Sequence, residues 1–387
     1  MSFNYYTPTK LFIGNEEKNI SEIISLYGYK HVLFVYGKNS IKKSGLYDTI
    51  TCSLNKNNIL FYEVSGVSPN PKLELVVHTL KNKPKVDMIL AVGGGSVIDT
   101  AKLLAVSYFY DGDPWDFISQ KVVPQKALPI GVILTISAAG SEMSNSCVIT
   151  NSELKIKKGF NNDLVRPQFA IMNPKLTYTV SKYQTACGIV DIMLHTLERF
   201  ITKEESSLAD EFGLSILKTV YRYGLKAYND PTDYEARKAI MLASSFSHNG
   251  LTSIGRPFCF RAHLIEHVLS GVHDNIAHGA GLAVVWIAYS KFIYKHILDK
   301  YLRLAYEVFA IEPSGDEEKD AYLGIVKLSS FFNALNMPQT LSDLNIDHKE
   351  VNELIDLCTL NDTRVVNDVI PLRRTEFNEI FRLMEEI

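Results

Sequence analysis

The feature of this sequence that most constrains its fold is an apolar run, Met88–Val92, that leads directly into three glycines and a serine. A helical pattern follows, with Asp99 and Lys102 as its charged residues. A strand that is apolar on both faces is typical of a parallel sheet covered by helices. Glycines let the backbone approach a ligand closely, and the amides that begin a helix favour negative charge. Gly93–Ser96 therefore predicts a phosphate-binding turn.

An alternative for this turn is a tight bend whose glycines serve backbone geometry alone. Three consecutive glycines cost more conformational entropy than a plain bend needs, which favours the phosphate site. The turn does not match GxGxxG, and it follows the third strand-like run rather than the first. The usual fingerprint of a Rossmann domain is therefore absent.

The rest of the first half alternates strand-like and helical patterns. His31–Tyr36, Ile59–Val64 and Ile130–Thr135 are mostly apolar runs, and Pro71–Leu80 and Val97–Ala105 have helical patterns. Alternation of this kind indicates right-handed βαβ units. We therefore predict an α/β N-terminal domain with a parallel sheet and flanking helices.

The pattern changes after about Tyr178. Strand-like runs become rare, and apolar residues recur at helical spacing in Ile189–Ile201 and in Leu302–Phe309. We predict an α/β domain over residues 1–180 and an all-helical domain over residues 181–387.

Composition excludes several classes of partner. The 387 residues carry 40 Lys and Arg against 43 Asp and Glu, a net charge of −3, so nothing indicates binding to nucleic acid or to an anionic membrane. The longest apolar run, Leu282–Tyr289, is far shorter than the roughly 20 residues that cross a bilayer. No signal peptide is recognisable, and five scattered cysteines without a CxxC pair fit a reducing compartment. We expect a cytoplasmic protein.

The histidines supply the strongest chemical pattern. Asp191 and His195 are four residues apart, which places them on one helix face among apolar neighbours. A buried carboxylate needs a cation, a metal or a hydrogen-bonded histidine as its partner. His263 and His267 repeat the four-residue spacing, and His278 follows. One aspartate and several histidines from two helices predict a site for one divalent metal ion, Fe²⁺ or Zn²⁺.

One alternative to a metal site stays open for these residues, and a second is disfavoured. Taken alone, Asp191 and His195 are also compatible with a hydrogen-bonded pair inside the core. The HExxH motif of zincin proteases is absent, because Glu266 is the third residue inside the His263–His267 pair rather than the first.

A second turn follows the first predicted strand. Dinucleotide folds often carry an acidic residue there, which binds the ribose 2′-hydroxyl. Here the turn contains Gly37 and Ser40 and is followed by Lys42 and Lys43. A solvated basic loop is the alternative, but a 2′-phosphate meets no carboxylate in this turn. The turn favours NADP(H) over NAD(H).

Together these motifs resemble the iron-containing (group III) alcohol dehydrogenases, and most of all their butanol dehydrogenase-like, NAD(P)H-dependent branch. The matching segments occur in the same order through most of the chain. They are Tyr6–Gly14, Tyr36–Gly37, Ser40–Gly45, Pro69–Pro71, Gly93–Asp99, Asp111–Phe117, Ala139–Glu142, Gly188–Asp191 with His195, His263–His267 with Leu269–Ser270, and His278–Leu282.

The resemblance implies a metal site and a cofactor site in a cleft between the two domains. Asp191, His195, His263 and His278 would hold the metal, and Asp191 and His267 would act in catalysis, with His267 as a candidate proton relay. With three neutral imidazoles and one carboxylate as ligands, a divalent ion would keep one positive charge, which would favour an alkoxide. The N-terminal domain would bind a dinucleotide. The residues expected at the cofactor are Gly37 and Ser40 at the adenosine end, Gly94, Gly95 and Ser96 at the pyrophosphate, Asp99, Thr135 and Lys157 along the site, and Ser144 and Asn145 near the nicotinamide.

The implied function is reversible hydride transfer between NAD(P)H and a primary alcohol or aldehyde, by a homodimer. Trp115, Phe258 and Phe260 suggest an apolar substrate pocket. The sequence departs from the family in one spacing: His278 follows His263 by 15 residues instead of the usual 14, which leaves open a role for His273.

Two other functions compete with this one. A metal lyase similar to dehydroquinate synthase would need many basic groups for a polyanionic substrate, and the segment before His263 offers mainly Arg256 and Arg261. The second alternative is a homologue that binds metal or nucleotide without turnover.

Overall fold

The computed structural model describes residues 3–386. The chain divides into two compact units. The first is Tyr6–Val180, and the second combines residues 181–386 with residues 3–5. Each unit is described by itself.

A parallel sheet of six strands forms the centre of the first unit. The strands of this unit are β1 (Lys10–Ile13), β2 (His31–Tyr36), β3 (Leu60–Val64), β4 (Met88–Gly93), β5 (Ile130–Leu134), β6 (Ser146–Asn151), β7 (Ile156–Asn161) and β8 (Phe169–Met172). The sheet has the order β1-β8-β5-β4-β2-β3, and β6 and β7 form a separate antiparallel pair. Every residue of β4 and β5 is buried, as the apolar runs predict.

Helices flank this sheet. They are α1 (Ile20–Leu26), α2 (Ser40–Lys43), α3 (Leu46–Lys56), α4 (Leu73–Lys81), α5 (Gly95–Ser107) and α6 (Trp115–Ile118), with 3₁₀ turns at Glu16–Asn19, Asp163–Val165 and Pro174–Thr177. Side chains of α1 and α3 pack with β2 and β4 in one buried apolar cluster. The predicted α/β fold with a parallel sheet is confirmed.

The order of strands reverses at β2, which pairs with β3 on one side and with β4 on the other. In sheets of this type, the loops at the carboxyl ends of the two strands beside the reversal form a crevice that binds nucleotides. Tyr36 and Val92 are in register at these ends. The sheet therefore brings the turn after β2 and the glycine turn after β4 to the same edge.

The second unit is helical. Its helices are α7 (Lys182–Phe200), α8 (Ser207–Asn229), α9 (Tyr234–His248), α10 (Arg261–Val272), α11 (His278–Ile293), α12 (Leu298–Arg303), α13 (Glu317–Ala334), α14 (Val351–Thr359) and α15 (Arg374–Glu385), with a π-helix at Leu304–Val308 and 3₁₀ turns at Leu251–Ser253, Tyr294–His296, Ser342–Leu344 and His348–Glu350. The only β pairing described in this unit is a bridge between Val366 and Leu372. The predicted all-helical architecture is confirmed.

Helix α11 lies at the centre of this unit. It is apolar almost all round, and Trp286 and Tyr289 on it are fully buried. A helix with this pattern must be covered by other helices, and α7, α10 and α15 pack against it. In the described part of the chain, no helix is long and apolar enough to cross a membrane.

A buried ion pair fixes the start of α10. Arg261 Nη2 lies 2.6 Å from Asp368 Oδ1, and these side chains are only 2% and 0% exposed. The hydroxyl of Tyr289 donates to the second oxygen of Asp368 at 2.5 Å. The pair ties α10 and α11 to the segment before α15.

We predict that Asp368→Ala destabilises the protein by about 3 kcal/mol or more, because it leaves the buried Arg261 guanidinium without its counterion. For a unit of this size the midpoint of thermal unfolding should fall by about 6–12 °C. The control is Glu318→Ala, which breaks the exposed pair of Glu318 with Lys295 and should cost less than about 1 kcal/mol. Equal shifts in the two variants would contradict the structural role of Asp368.

Candidate functional site

Three helices of the second unit bring four predicted metal ligands together. Asp191 Oδ1 lies 3.1 Å from His195 Nδ1 on the next turn of α7. It lies 3.6 Å from His263 Nε2 on α10 and 3.8 Å from His278 Nε2, at the first residue of α11. Ligands held 2.0–2.1 Å from a tetrahedral ion are about 3.3 Å apart, so the spacing suits one divalent cation.

A glycine permits this approach of α11 to α7. A Cβ atom at Gly279 would lie 2.1 Å from the carbonyl oxygen of Cys187, which is a backbone atom that cannot move aside cheaply. Any larger residue would therefore push His278 away from Asp191.

The facing atoms of the cluster fit a metal ion better than they fit one another. Asp191 Oδ1, His195 Nδ1 and His263 Nε2 are buried, and none has a hydrogen-bond partner among the described residues. Buried polar atoms without partners cost free energy. A divalent cation bound to all three would remove that cost, so the donor set fits a metal.

Two glutamates orient the imidazoles from behind. Glu198 Oε2 is hydrogen-bonded to His263 Nδ1, and Glu266 Oε2 is hydrogen-bonded to His278 Nδ1. A carboxylate on one ring nitrogen fixes the tautomer and directs the other nitrogen at the metal. The second oxygen of Glu198 also accepts from the amide of Ala262 at 2.5 Å. Neither glutamate belongs to the site predicted from the sequence.

The protonation of the ligands reflects this environment. Burial lowers the pKa of His263, but the carboxylates of Glu198 and Asp191 outweigh it and raise the pKa to about 9. Burial and three neighbouring imidazoles, that of His248 first, lower the pKa of His195 well below its usual value. The carboxylates thus attract a cation to this position, and in the absence of metal a proton on His263 takes its place.

The two other histidines of the predicted set have different surroundings. His267 is partly exposed, and its ring centroid lies 5.6 Å from that of His278 and 6.3 Å from that of His263. It therefore borders the cluster. His273 Nε2 lies 3.1 Å from Glu350 Oε2, in the 3₁₀ turn just before α14.

In the first unit, the glycine turn forms the start of α5. Gly94 is the residue before the helix, and no side chain caps this helix among the residues described. A Cβ atom at Gly94 would lie 2.0 Å from Ile136 Cγ2, so close packing requires glycine here. Its φ of −100° does not require glycine. Uncapped amides of Gly95 and Ser96 at the start of a thirteen-residue helix can bind a phosphate.

Thr135 lies beside this turn, and its amide donates to the carbonyl of Gly93 at 3.1 Å. Asp99 has a more structural environment than the sequence suggests. It accepts from Ser141 Oγ at 2.6 Å and from the amide of Val148 at 3.0 Å. Burial raises its pKa.

The segment that contains Ser144 and Asn145 is held by a buried lysine. Lys102 Nζ donates to Ser141 Oγ at 2.9 Å, to Ser144 Oγ at 3.1 Å and to the carbonyl of Ser146 at 2.7 Å. Ser144 is therefore buried and engaged by protein groups. Asn145 Nδ2 donates to Asp163 Oδ1 at 3.0 Å, and Lys157 lies on β7, close enough to Asp99 to lower the pKa of that carboxyl in part.

At the turn after β2, Gly37 follows the strand and Ser40 begins α2. Tyr36, the last residue of β2, donates a hydrogen bond from its hydroxyl to the carboxylate of Glu63. The hydroxyl of Tyr47 donates to the same carboxylate. Burial and then Glu63 raise the pKa of Tyr36 to about 12. Glu63 lies on the neighbouring strand β3, so the sequence of the turn itself does not indicate this carboxylate.

Comparison with known proteins identifies the family. The family model "Iron-containing alcohol dehydrogenase" matches residues 8–174, and the model for the C-terminal part of the Fe-containing alcohol dehydrogenase family matches residues 185–384. The chain is 38% identical to NADH-dependent butanol dehydrogenase A of Clostridium acetobutylicum over 99% of both proteins. The chain belongs to the iron-containing alcohol dehydrogenase family.

Other members of this family use either nucleotide. The chain is 34% identical to the NADPH-dependent aldehyde reductase YqhD of Escherichia coli, over 92% of both proteins. The crystal structure of NADH-dependent butanol dehydrogenase A from Thermotoga maritima superposes with a TM-score of 0.95 at 35% identity, covering 100% of this chain and 99% of that one. The family predicted from the motifs is confirmed.

We predict that Glu198→Gln and Glu266→Gln each weaken metal binding about 10- to 100-fold, because a neutral amide no longer directs the ligand nitrogen as strongly. Competition between the protein and a chelator for Zn²⁺ measures this change. Glu235→Gln, at an exposed glutamate paired with Lys238, is the matched control. Affinities within twofold of the unmodified protein would show that the glutamates do not support the ligands.

Proposed function

We propose that the protein is a metal-dependent alcohol dehydrogenase and aldehyde reductase. It transfers hydride reversibly between NADP(H) and a primary alcohol or an aldehyde. The observation that carries the proposal is the convergence of Asp191 with His195, His263 and His278. The facing atoms of Asp191, His195 and His263 are buried and lack hydrogen-bond partners in the described chain. The names of the relatives, butanol dehydrogenase and aldehyde reductase, support the reaction and the substrate class.

The residues of the chain have separate tasks in this reaction. Asp191, His195, His263 and His278 would hold Fe²⁺ or Zn²⁺, and such an ion supplies Lewis-acid polarisation of the substrate oxygen. Glu198 and Glu266 keep two of the imidazoles in the binding tautomer.

His267 has the position of a proton relay, because it borders the cluster and is partly open to solvent. During aldehyde reduction, one ring nitrogen of His267 delivers the proton that becomes the alcohol hydroxyl hydrogen. During alcohol oxidation it accepts that proton.

The structure offers little to a lyase that acts on a polyanion. The two arginines before His263 are buried, and each pairs with a carboxylate of the protein: Arg256 with Asp210 and Arg261 with Asp368. Both arginines therefore neutralise carboxylates inside the helical unit and do not offer their charges to a substrate. This favours a small substrate without several negative charges.

For the nucleotide we propose a preference for NADP(H). The turn from Gly37 to Ser40 contains no carboxylate. Lys38 within this turn and Lys43 after it are both exposed. These cations suit a 2′-phosphate. The amides that begin α5 and the reversal of strand order at β2 support a nucleotide site at this edge of the sheet.

We predict that Gly37→Asp lowers the ratio of kcat/KM with NADPH to kcat/KM with NADH by at least about tenfold, because it places a carboxylate against the 2′-phosphate. A Cβ atom at this position meets only Val67 O at 3.7 Å, so the substitution fits the backbone. Asn55→Asp adds the same charge on the exposed side of α3 and should leave the ratio unchanged. An unmodified protein that prefers NADH would overturn the assignment of NADP(H).

We also propose a homodimer, a cytoplasmic location and a domain boundary at residue 180. Sheet edges that expose Ile13, Leu60 and Tyr62 support self-association. The five free cysteines support a reducing compartment. The division into compact units after Val180 supports the boundary. Sedimentation of the purified protein tests the dimer.

We predict that His263→Ala loses bound metal and the reduction of butanal by NADPH together. The measurements are the metal content of the purified protein and the absorbance of the reduced cofactor after addition of butanal with Fe²⁺ or Zn²⁺. His348→Ala, at an exposed histidine paired with Glu385, controls for loss of an imidazole. Full activity in a metal-free His263→Ala protein would overturn the proposed function.

A further inference from the structure

Arg199, in the last turn of α7, is a buried cation whose side-chain hydrogen bonds go to neutral groups, while the carboxylate of the adjacent Glu198 acts on it as a nearby charge. Arg199 is 3% exposed. Its Nη1 donates to the carbonyls of His195 at 2.5 Å and Ser247 at 3.2 Å, and its Nη2 lies 3.1 Å from His248 Nδ1. Burial lowers its pKa to about 9. Burying a guanidinium that is not hydrogen-bonded to a carboxylate costs free energy. The position of Arg199 therefore indicates a role beyond stability.

The guanidinium also lies against two aromatic rings. Arg199 Cζ is 4.6 Å from the ring centroid of Phe258 and 4.6 Å from that of Phe260. The two rings contact each other edge to face, with centroids 4.9 Å apart. They belong to a segment without helix or strand between Arg256 and α10. In such a segment, cation–π contacts with one rigid plane can hold both rings in place.

The aromatic pair borders the metal cluster. The Phe260 centroid lies 4.8 Å from that of His263 and 5.7 Å from that of His195. Phe258 is 41% exposed and Phe260 is partly exposed, whereas Arg199 contacts them from the buried side. The accessible faces of the two rings therefore form an apolar surface immediately beside two of the ligands.

We propose that Arg199 is a positioning residue that holds Phe258 and Phe260 as the apolar wall of the substrate site, and that it thereby selects aldehydes with longer hydrocarbon chains. The proposal rests on the proposed function. It assigns no part in hydride or proton transfer to Arg199, which acts only through the two rings.

The expected signature is a change in chain-length preference. An added methylene in an apolar pocket changes kcat/KM by about tenfold or more, provided that the wall of the pocket is fixed. When the wall is mobile, this gain falls, while ethanal, which has too short a chain to use the wall, is little affected.

The experiment compares ethanal, butanal and hexanal as substrates of the unmodified protein and of Arg199→Met, with metal content measured in parallel. In the variant, we expect the ratio of kcat/KM for hexanal to that for ethanal to fall at least about fivefold, mainly through KM. Metal content should be unchanged. Arg222→Met, which removes an exposed arginine stacked on Tyr223, is the matched control and should keep the unmodified ratio.

Two further variants separate positioning from charge and from folding. Arg199→Lys keeps the charge but lacks the plane that stacks on the rings, so we expect its ratio to fall as well. Phe258→Ser changes a side chain that is already 41% exposed, and its ratio should fall in the same direction even if Arg199→Met is insoluble.

The outcomes are distinguishable. An unmodified protein that reduces no aldehyde overturns the proposed function and this inference together. An active protein whose Arg199→Lys and Phe258→Ser variants keep the chain-length ratio within twofold overturns the inference alone. If Arg199→Met loses metal in proportion to its activity on all three aldehydes, the inference is also overturned. Arg199 would then support the metal ligand His195 and not the aromatic wall.

Discussion

The site depends on one carboxylate buried among imidazoles. Asp191 Oδ1 has a nitrogen of His195, His263 and His278 within 3.8 Å and no hydrogen-bond partner in the described chain. A buried carboxylate in that state is costly without a cation. The close approach of α11 to α7 at Gly279 and the support of two imidazoles by glutamates bring the ligands to this point.

Charge balance around this carboxylate differs from what the sequence indicated. With Asp191 as the only anion, the ligand set predicted from the sequence would leave a divalent ion with an excess of positive charge. The structure adds Glu198 and Glu266 behind the imidazoles and Arg199 beside them. A bound divalent ion and the guanidinium of Arg199 would together balance these three carboxylates. A balanced site beside an aromatic surface suits an uncharged aldehyde better than an anionic one.

Much of the fold could be predicted, because regular patterns report on local structure. The buried strands β2, β4 and β5 were predicted almost to the residue, since each is apolar on both faces. The four-residue strands β1 and β8 are too short to give a pattern. Strands β6 and β7 carry many polar residues and form an antiparallel pair away from the main sheet, so they were missed.

The site was predictable where its residues share one helix. Asp191 and His195 lie one turn apart on α7, and Glu198 follows Asp191 by seven residues on the same face, which is a signal that could have revealed it. The contact of Glu266 with His278 depends on how α10 packs on α11, which no local pattern reports. The burial of Ser144 against Lys102 likewise depends on tertiary contacts.

The central claim is that the cluster around Asp191 binds the metal ion that the reaction needs. To test it, the purified protein is stripped of metal with a chelator and titrated with Fe²⁺ while NADPH-dependent reduction of butanal is followed. If the claim is right, the stripped protein is inactive, and activity returns in proportion to added ion until one ion is bound per chain. Full activity in the stripped protein, or none with one ion bound per chain, would contradict it.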